Sequence, residues 1–183
     1  MSALSSSQIL DDYILNTLDR LNIGSVKKRI INELVEFKKK DANIHVELEE
    51  NYKEFNKVTI KVTVVLNQEN DIYSFHISRD YPFKPPSKFI INYKDYKQYL
   101  KIDSPKTIQE LRTCNHIKCL CCSTILCSAS WSPILKMENI IIEFKQIKKY
   151  RRDIINRLLA KKITGKYLNS DLNYILNEWL GLS

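Results

Sequence analysis

The chain has 183 residues, a formal net charge of +8 from 29 Lys and Arg against 21 Asp and Glu, and 44% hydrophobic residues. Three Gly and five Pro exclude collagen-like and linker-like chains, and the apolar share excludes a disordered one. No apolar run approaches the ~18–20 residues of a membrane span. Met1 to Gln8 has neither the basic segment nor the apolar core of a secretory signal, so the expectation is a soluble cytoplasmic protein.

Leu10, Ile14, Leu18 and Leu21 are spaced four, four and three apart, which predicts an amphipathic helix over residues 5–21. After Gly24, Ser25 reads as the N-cap of a second helix whose stripe is Val26, Ile30, Leu34 and Phe37. The period then changes from 3.6 to 2. Ile44, Val46 and Leu48 alternate with polar residues, as do Val58 to Val64 and then Tyr73, Phe75 and Ile77; Phe89 to Ile91 is a fourth apolar run. Short connections between these runs predict an antiparallel four-stranded meander. His45 and His76 are expected at the surface. The three prolines of Tyr81-Pro82-Phe83-Lys84-Pro85-Pro86 fix φ and remove donors, so that segment is a rigid loop. Residues 93–113 suggest short helices. Pro133 suits the first turn of a long C-terminal helix with Met137, Ile140, Ile141, Phe144 and Ile147 on its apolar face. A last helix follows Ser170. Helix, antiparallel strands, then helices define an α+β domain.

The basic residues are spread along the sequence, and basicity alone identifies no partner. Cysteine is the sharper signal, because Cys114, Cys119, Cys121, Cys122 and Cys127 fall within fourteen residues. An odd, crowded set without a secretory signal argues against a disulfide framework.

Three segments in this order resemble the ubiquitin-conjugating enzyme family. They are Ser25-Val26-Lys27-Lys28-Arg29-Ile30-Ile31-Asn32-Glu33-Leu34, then Asp80-Tyr81-Pro82-Phe83-Lys84-Pro85-Pro86, then Cys122-Ser123-Thr124-Ile125-Leu126 followed by Trp131-Ser132-Pro133. The cysteine-rich segment and the Ile-, Lys- and Asn-rich composition look like divergent members encoded by large DNA viruses, which would place the protein in host-cell cytoplasm. The resemblance implies a ubiquitin-conjugating-enzyme-like core over 24–165 with an insertion at 93–112, an N-terminal helical extension over 1–23 and a C-terminal helix over 166–183.

It also implies a carrier that takes ubiquitin from an activating enzyme as a cysteine thioester and passes it to a lysine. Such a carrier has no cofactor of its own, and ATP is used only by the activating enzyme. Cys122 takes the nucleophile's place because Ile125-Leu126 follows it at the family offset, nine residues before Trp131. Cys119-Leu120 is the second candidate. The thiolate is the reactive form, and the tetrahedral oxyanion needs a donor. Of the family's His-Pro-Asn motif only Asn115 is kept, seven residues before Cys122; it is either that donor or a turn residue. Lys27, Lys28 and Arg29 match the face that meets the activating enzyme, and Phe83 and Pro133 match positions that meet a ubiquitin ligase. Trp131 is expected to be a packing anchor.

Two rival readings stand beside this one. The same fold can be a non-catalytic module that binds ubiquitin or a partner. Alternatively, Cys119-x-x-Cys122 has metal-ligand spacing, and with Cys114, His116 and Cys127 it can hold a structural zinc in an interaction module that binds nucleic acid through its basic surface. The sequence reading excludes a membrane partner and ranks nucleic acid last among the partners.

Overall fold

Sequence periodicity becomes structure most directly in the first forty residues. The computed structural model describes residues 10–19, 24–40, 42–50, 58–67, 71–101, 105, 107–109, 112 and 124–163. Helix α1 spans Asp12–Asp19 and α2 spans Gly24–Lys38. Leu10, Ile14 and Leu18 are buried, as are Val26, Ile30, Leu34 and Phe37, so both stripes face inward. Asp19 pairs with Lys27 and Asp11 with Lys38, which sets the two helices side by side in opposite directions. These exposed pairs add little; the apolar stripes hold the helices. Helix α2 begins at Gly24, two residues before the Val26 start that an N-cap at Ser25 implies.

Strands β1 (Ala42–Glu50), β2 (Val58–Leu66), β3 (Ile72–Ile77), β4 (Lys88–Ile91) and β5 (Lys94–Asp95) form one open antiparallel sheet in sequence order. The register aligns Val46, Val62, Phe75 and Phe89 in a row across four strands, and all four are buried. Their neighbours Tyr73, Ile77 and Ile91 point the same way and are buried too. Fully burying each such side chain contributes about 1.5–3 kcal/mol. The rings of Phe75 and Phe89 stack with centroids 4.7 Å apart, and Tyr96 tilts onto Phe89 at 5.3 Å. On the opposite face Thr63 and Ser74 share a 3.1 Å hydrogen bond, and the exposed His45 bonds Glu47. His76 is half-buried rather than at the surface.

The sheet has five strands where the sequence predicted four. The fifth comes from a two-residue turn at Asn92 and Tyr93, with φ of 47° and 67°, the sign pattern of a hairpin turn that matches sheet twist. Asn92 braces it by donating to Asp71 and accepting from the Ile72 amide, both at 2.8 Å. A two-residue strand is too short to show alternation. Asp95 then accepts from the Lys97 amide at 2.8 Å and caps α3 (Tyr96–Leu100).

Helix α4 runs from Met137 to Ile163. It therefore starts four residues after Pro133, which lies in a turn ahead of it. Two side chains take up the amides at this start: Asn139 accepts from the Lys136 amide at 2.8 Å, and a carboxylate from α2, described below, accepts from that of Met137. The chain divides into two compact units, one of residues 1–98 with 125–141 and one of 99–124 with 142–183. In the second, Tyr99 meets Phe144 edge-on at 5.1 Å, Thr124 donates to Glu143 at 2.9 Å, and Arg151 donates to the Lys101 carbonyl at 2.8 Å. The C-terminal helix expected over 166–183 lies outside the described residues. Among the described residues, no helix is long and apolar enough to cross a membrane.

Candidate functional site

Glu33 lies on α2 beside the apolar stripe and is only 3% exposed. A buried carboxylate is tolerated when its lone pairs are filled, and here three donors fill them. Oε1 accepts from the Tyr81 hydroxyl at 2.7 Å and from Arg29 Nε; Oε2 accepts from the Met137 backbone amide at 2.8 Å. The last bond places negative charge on an otherwise unpaired N–H at the start of α4, where the helix dipole favours it. One carboxylate thus ties together α2, the proline loop and the entry to α4.

Arg29 extends the same assembly. Its Nη2 donates to the Leu135 carbonyl at 2.8 Å, so its guanidinium braces the segment after Trp131. Burial lowers the Arg29 pKa, but the charge and hydrogen bond of Glu33 outweigh it and the net shift is upward. Burial pushes the Tyr81 phenol strongly up, and the adjacent Glu33 charge pushes it further. Tyr81 therefore stays a neutral donor. Lys136 adds an outer clasp to Glu36 at 2.7 Å, and Lys40 pairs with Glu138.

The two loops are also joined directly. Trp131 Nε1 donates to the Pro82 carbonyl at 2.7 Å, and its ring tilts against Tyr81 at 6.1 Å. Cys127, half-buried, uses its carbonyl to accept from the Ser130 and Trp131 amides at 2.8 and 2.9 Å. Trp131 is thus the packing anchor expected of it. On this braced base, Phe83 stands 76% exposed and Pro133 is exposed.

Ile134 is 79% exposed beside Pro133. Sequence reasoning passed over it, since an aliphatic residue just ahead of an apolar helix reads as core. In the sequence Glu33 stands out only as a member of the segment from Ser25 to Leu34. Its signal was present: a carboxylate bordering an apolar stripe, with Arg29 four residues before it.

Of the three residues that the resemblance matches to a face for the activating enzyme, Lys28 is exposed, Lys27 is partly covered and paired with Asp19, and Arg29 is directed inward. Cys122, Asn115, Cys119, Cys121, Cys114 and His116 lie outside the described residues. Among the described residues, no three His, Cys, Asp or Glu side chains gather as metal ligands. No protein-family model, curated protein or solved structure matches the chain.

Proposed function

We propose that the chain has a ubiquitin-conjugating-enzyme-like fold and carries ubiquitin as a thioester on Cys122. One observation carries the reading. The three segments that resemble that family are far apart in sequence, yet the first two and the start of the helix after the third meet at the Glu33 carboxylate, and Trp131 of the third bonds the second. A chance likeness of short motifs gives no reason for them to converge.

In this reading the Cys122 thiolate attacks the thioester carbonyl that joins ubiquitin to the activating enzyme. The bond to that enzyme's sulfur breaks, its thiolate leaves, and a new thioester stands on Cys122. A lysine amine then attacks, the bond to Cys122 breaks, and an isopeptide forms as the amine loses its proton. Asn115 donates to the oxyanion. No cofactor is needed, since ATP is consumed upstream. Lys27 and Lys28 face the activating enzyme, Arg29 positions the loop behind Pro133, and Phe83 with Pro133 meets a ligase. A cytoplasmic location accords with a reduced thiol.

Incubation with an activating enzyme, ATP and ubiquitin tests this on a non-reducing gel. A reducible adduct that is lost in Cys122→Ser but kept in Cys119→Ser and Cys121→Ser is the expected result. Loss in another variant alone moves the nucleophile. Absence of any adduct with several activating enzymes overturns the carrier reading in favour of a binding module.

A further inference from the structure

Basicity spread over a whole chain identifies no partner; four cations aligned on the side of one helix opposite its buried residues do. Residues 145–162 hold eight Lys and Arg against Asp153 alone, a net +7 of the chain's +8. They all belong to α4. Phe144, Ile147, Ile154 and Leu158 form the buried side of that helix. Lys145, Lys149, Arg152 and Asn156 follow at i, i+4, i+7 and i+11, which aligns them on the opposite side with Lys148 flanking the row. Lys148, Lys149, Arg152 and Asn156 are exposed.

We propose that this face of α4 docks the phosphate backbone of double-stranded nucleic acid without sequence preference. The inference is independent of the carrier reading. From Lys145 to Asn156 the row is straight and about 16 Å long at 1.5 Å per residue. A duplex offers a rigid and continuous array of anions for such a row, one phosphate per about 3.4 Å of axis along each strand.

Other anionic partners fit less well. A helix that binds a bilayer inserts its apolar face, whereas the apolar side of α4 is buried in the protein. Recognition of single strands uses aromatic platforms, and the row has none; Tyr150 is half-buried beside it. An acidic peptide matches the charge but is flexible and must be ordered on binding, at a cost in entropy that a rigid duplex avoids.

Fluorescence anisotropy with the full chain and a labelled random-sequence DNA duplex tests the proposal. Binding is expected at low salt and should weaken about 10²-fold between about 50 and 200 mM salt for roughly four phosphate contacts. The variant Lys148→Gln, Lys149→Gln, Arg152→Gln should bind more weakly, with a log–log salt slope shallower by about 1 per cation removed. A control, Lys39→Gln, Lys94→Gln, Lys97→Gln, removes the same charge from exposed sites off α4 and should bind as the parent does. Unchanged melting curves for both variants establish that folding is intact. No binding at low salt, or equal weakening in the control, overturns the proposal. Tighter binding to poly-glutamate or to phosphatidylserine vesicles also overturns it and assigns the face to an acidic protein or to a membrane.

Discussion

The Tyr81 hydroxyl donates to Glu33 at 2.7 Å across 48 positions of sequence, inside the protein. With the Met137 amide on the other oxygen, Glu33→Ala strands two donors and leaves the partly covered Arg29 without its counter-charge. Breaking such a pair typically costs about 3–5 kcal/mol. Tyr81→Phe removes one hydrogen bond and keeps the ring, at about 1 kcal/mol. Urea denaturation should rank the two variants in that order.

Tyr81 also gives the fold an alkaline limit. Its pKa is raised by burial and by the Glu33 charge, so the folded protein keeps the phenolic proton that the unfolded chain releases near pH 10. Below that pH both states are protonated and the contribution is whole. Above it the unfolded state binds fewer protons, and stability falls by up to about 1.4 kcal/mol per pH unit. Urea midpoints taken above pH 10 should therefore drop more steeply for the parent protein than for Tyr81→Phe.

Tyr93 sits at φ 67° and is 87% exposed. A side chain gains little there, while the left-handed backbone costs a residue with a Cβ about 1–2 kcal/mol. Asn-Gly is the favoured pair for this turn, and Asn92 already supplies its first half. Tyr93→Gly should raise the melting temperature, by an amount equivalent to about 1 kcal/mol once the greater freedom of glycine in the unfolded chain is subtracted.

Phe83 and Ile134 present apolar side chains to solvent on loops braced from beneath. Substituting either by Ala should change stability by about 0.5 kcal/mol or less. If these loops meet a ligase, the same variants should charge with ubiquitin as the parent does and discharge more slowly only when the ligase is present. Single-turnover discharge with and without ligase separates those steps.

Both helix stripes and the inward rows of the sheet were legible in the sequence because burial on one face leaves a period of 3.6 or 2. What escaped were features set by contacts across the chain. Pro133 suits a helix start by its own chemistry, yet the helix begins at Met137, where Glu33 supplies the cap. Glu33 has the residue type of a solvated face and becomes a buried hub only through Tyr81 and Met137. The β5 strand owes its existence to Asn92 and Tyr93, and Tyr93 is a residue type that seldom takes a positive φ. As for the candidate site, the proline loop and Trp131 stand out by motif and are joined by the hydrogen bond from Trp131 to the Pro82 carbonyl; Cys122 and Asn115 remain assignments by spacing.

The Glu33 assembly also imposes an order of events on synthesis. A ribosome adds about 5–20 residues per second, so the 104 positions from Glu33 to Met137 take roughly five to twenty seconds to make. Throughout that interval α2 can exist while its carboxylate waits for its last partner. The loop bearing Phe83 acquires its full bracing only when Trp131 and Met137 have emerged, so a nascent chain stopped before them cannot present that loop in its finished form.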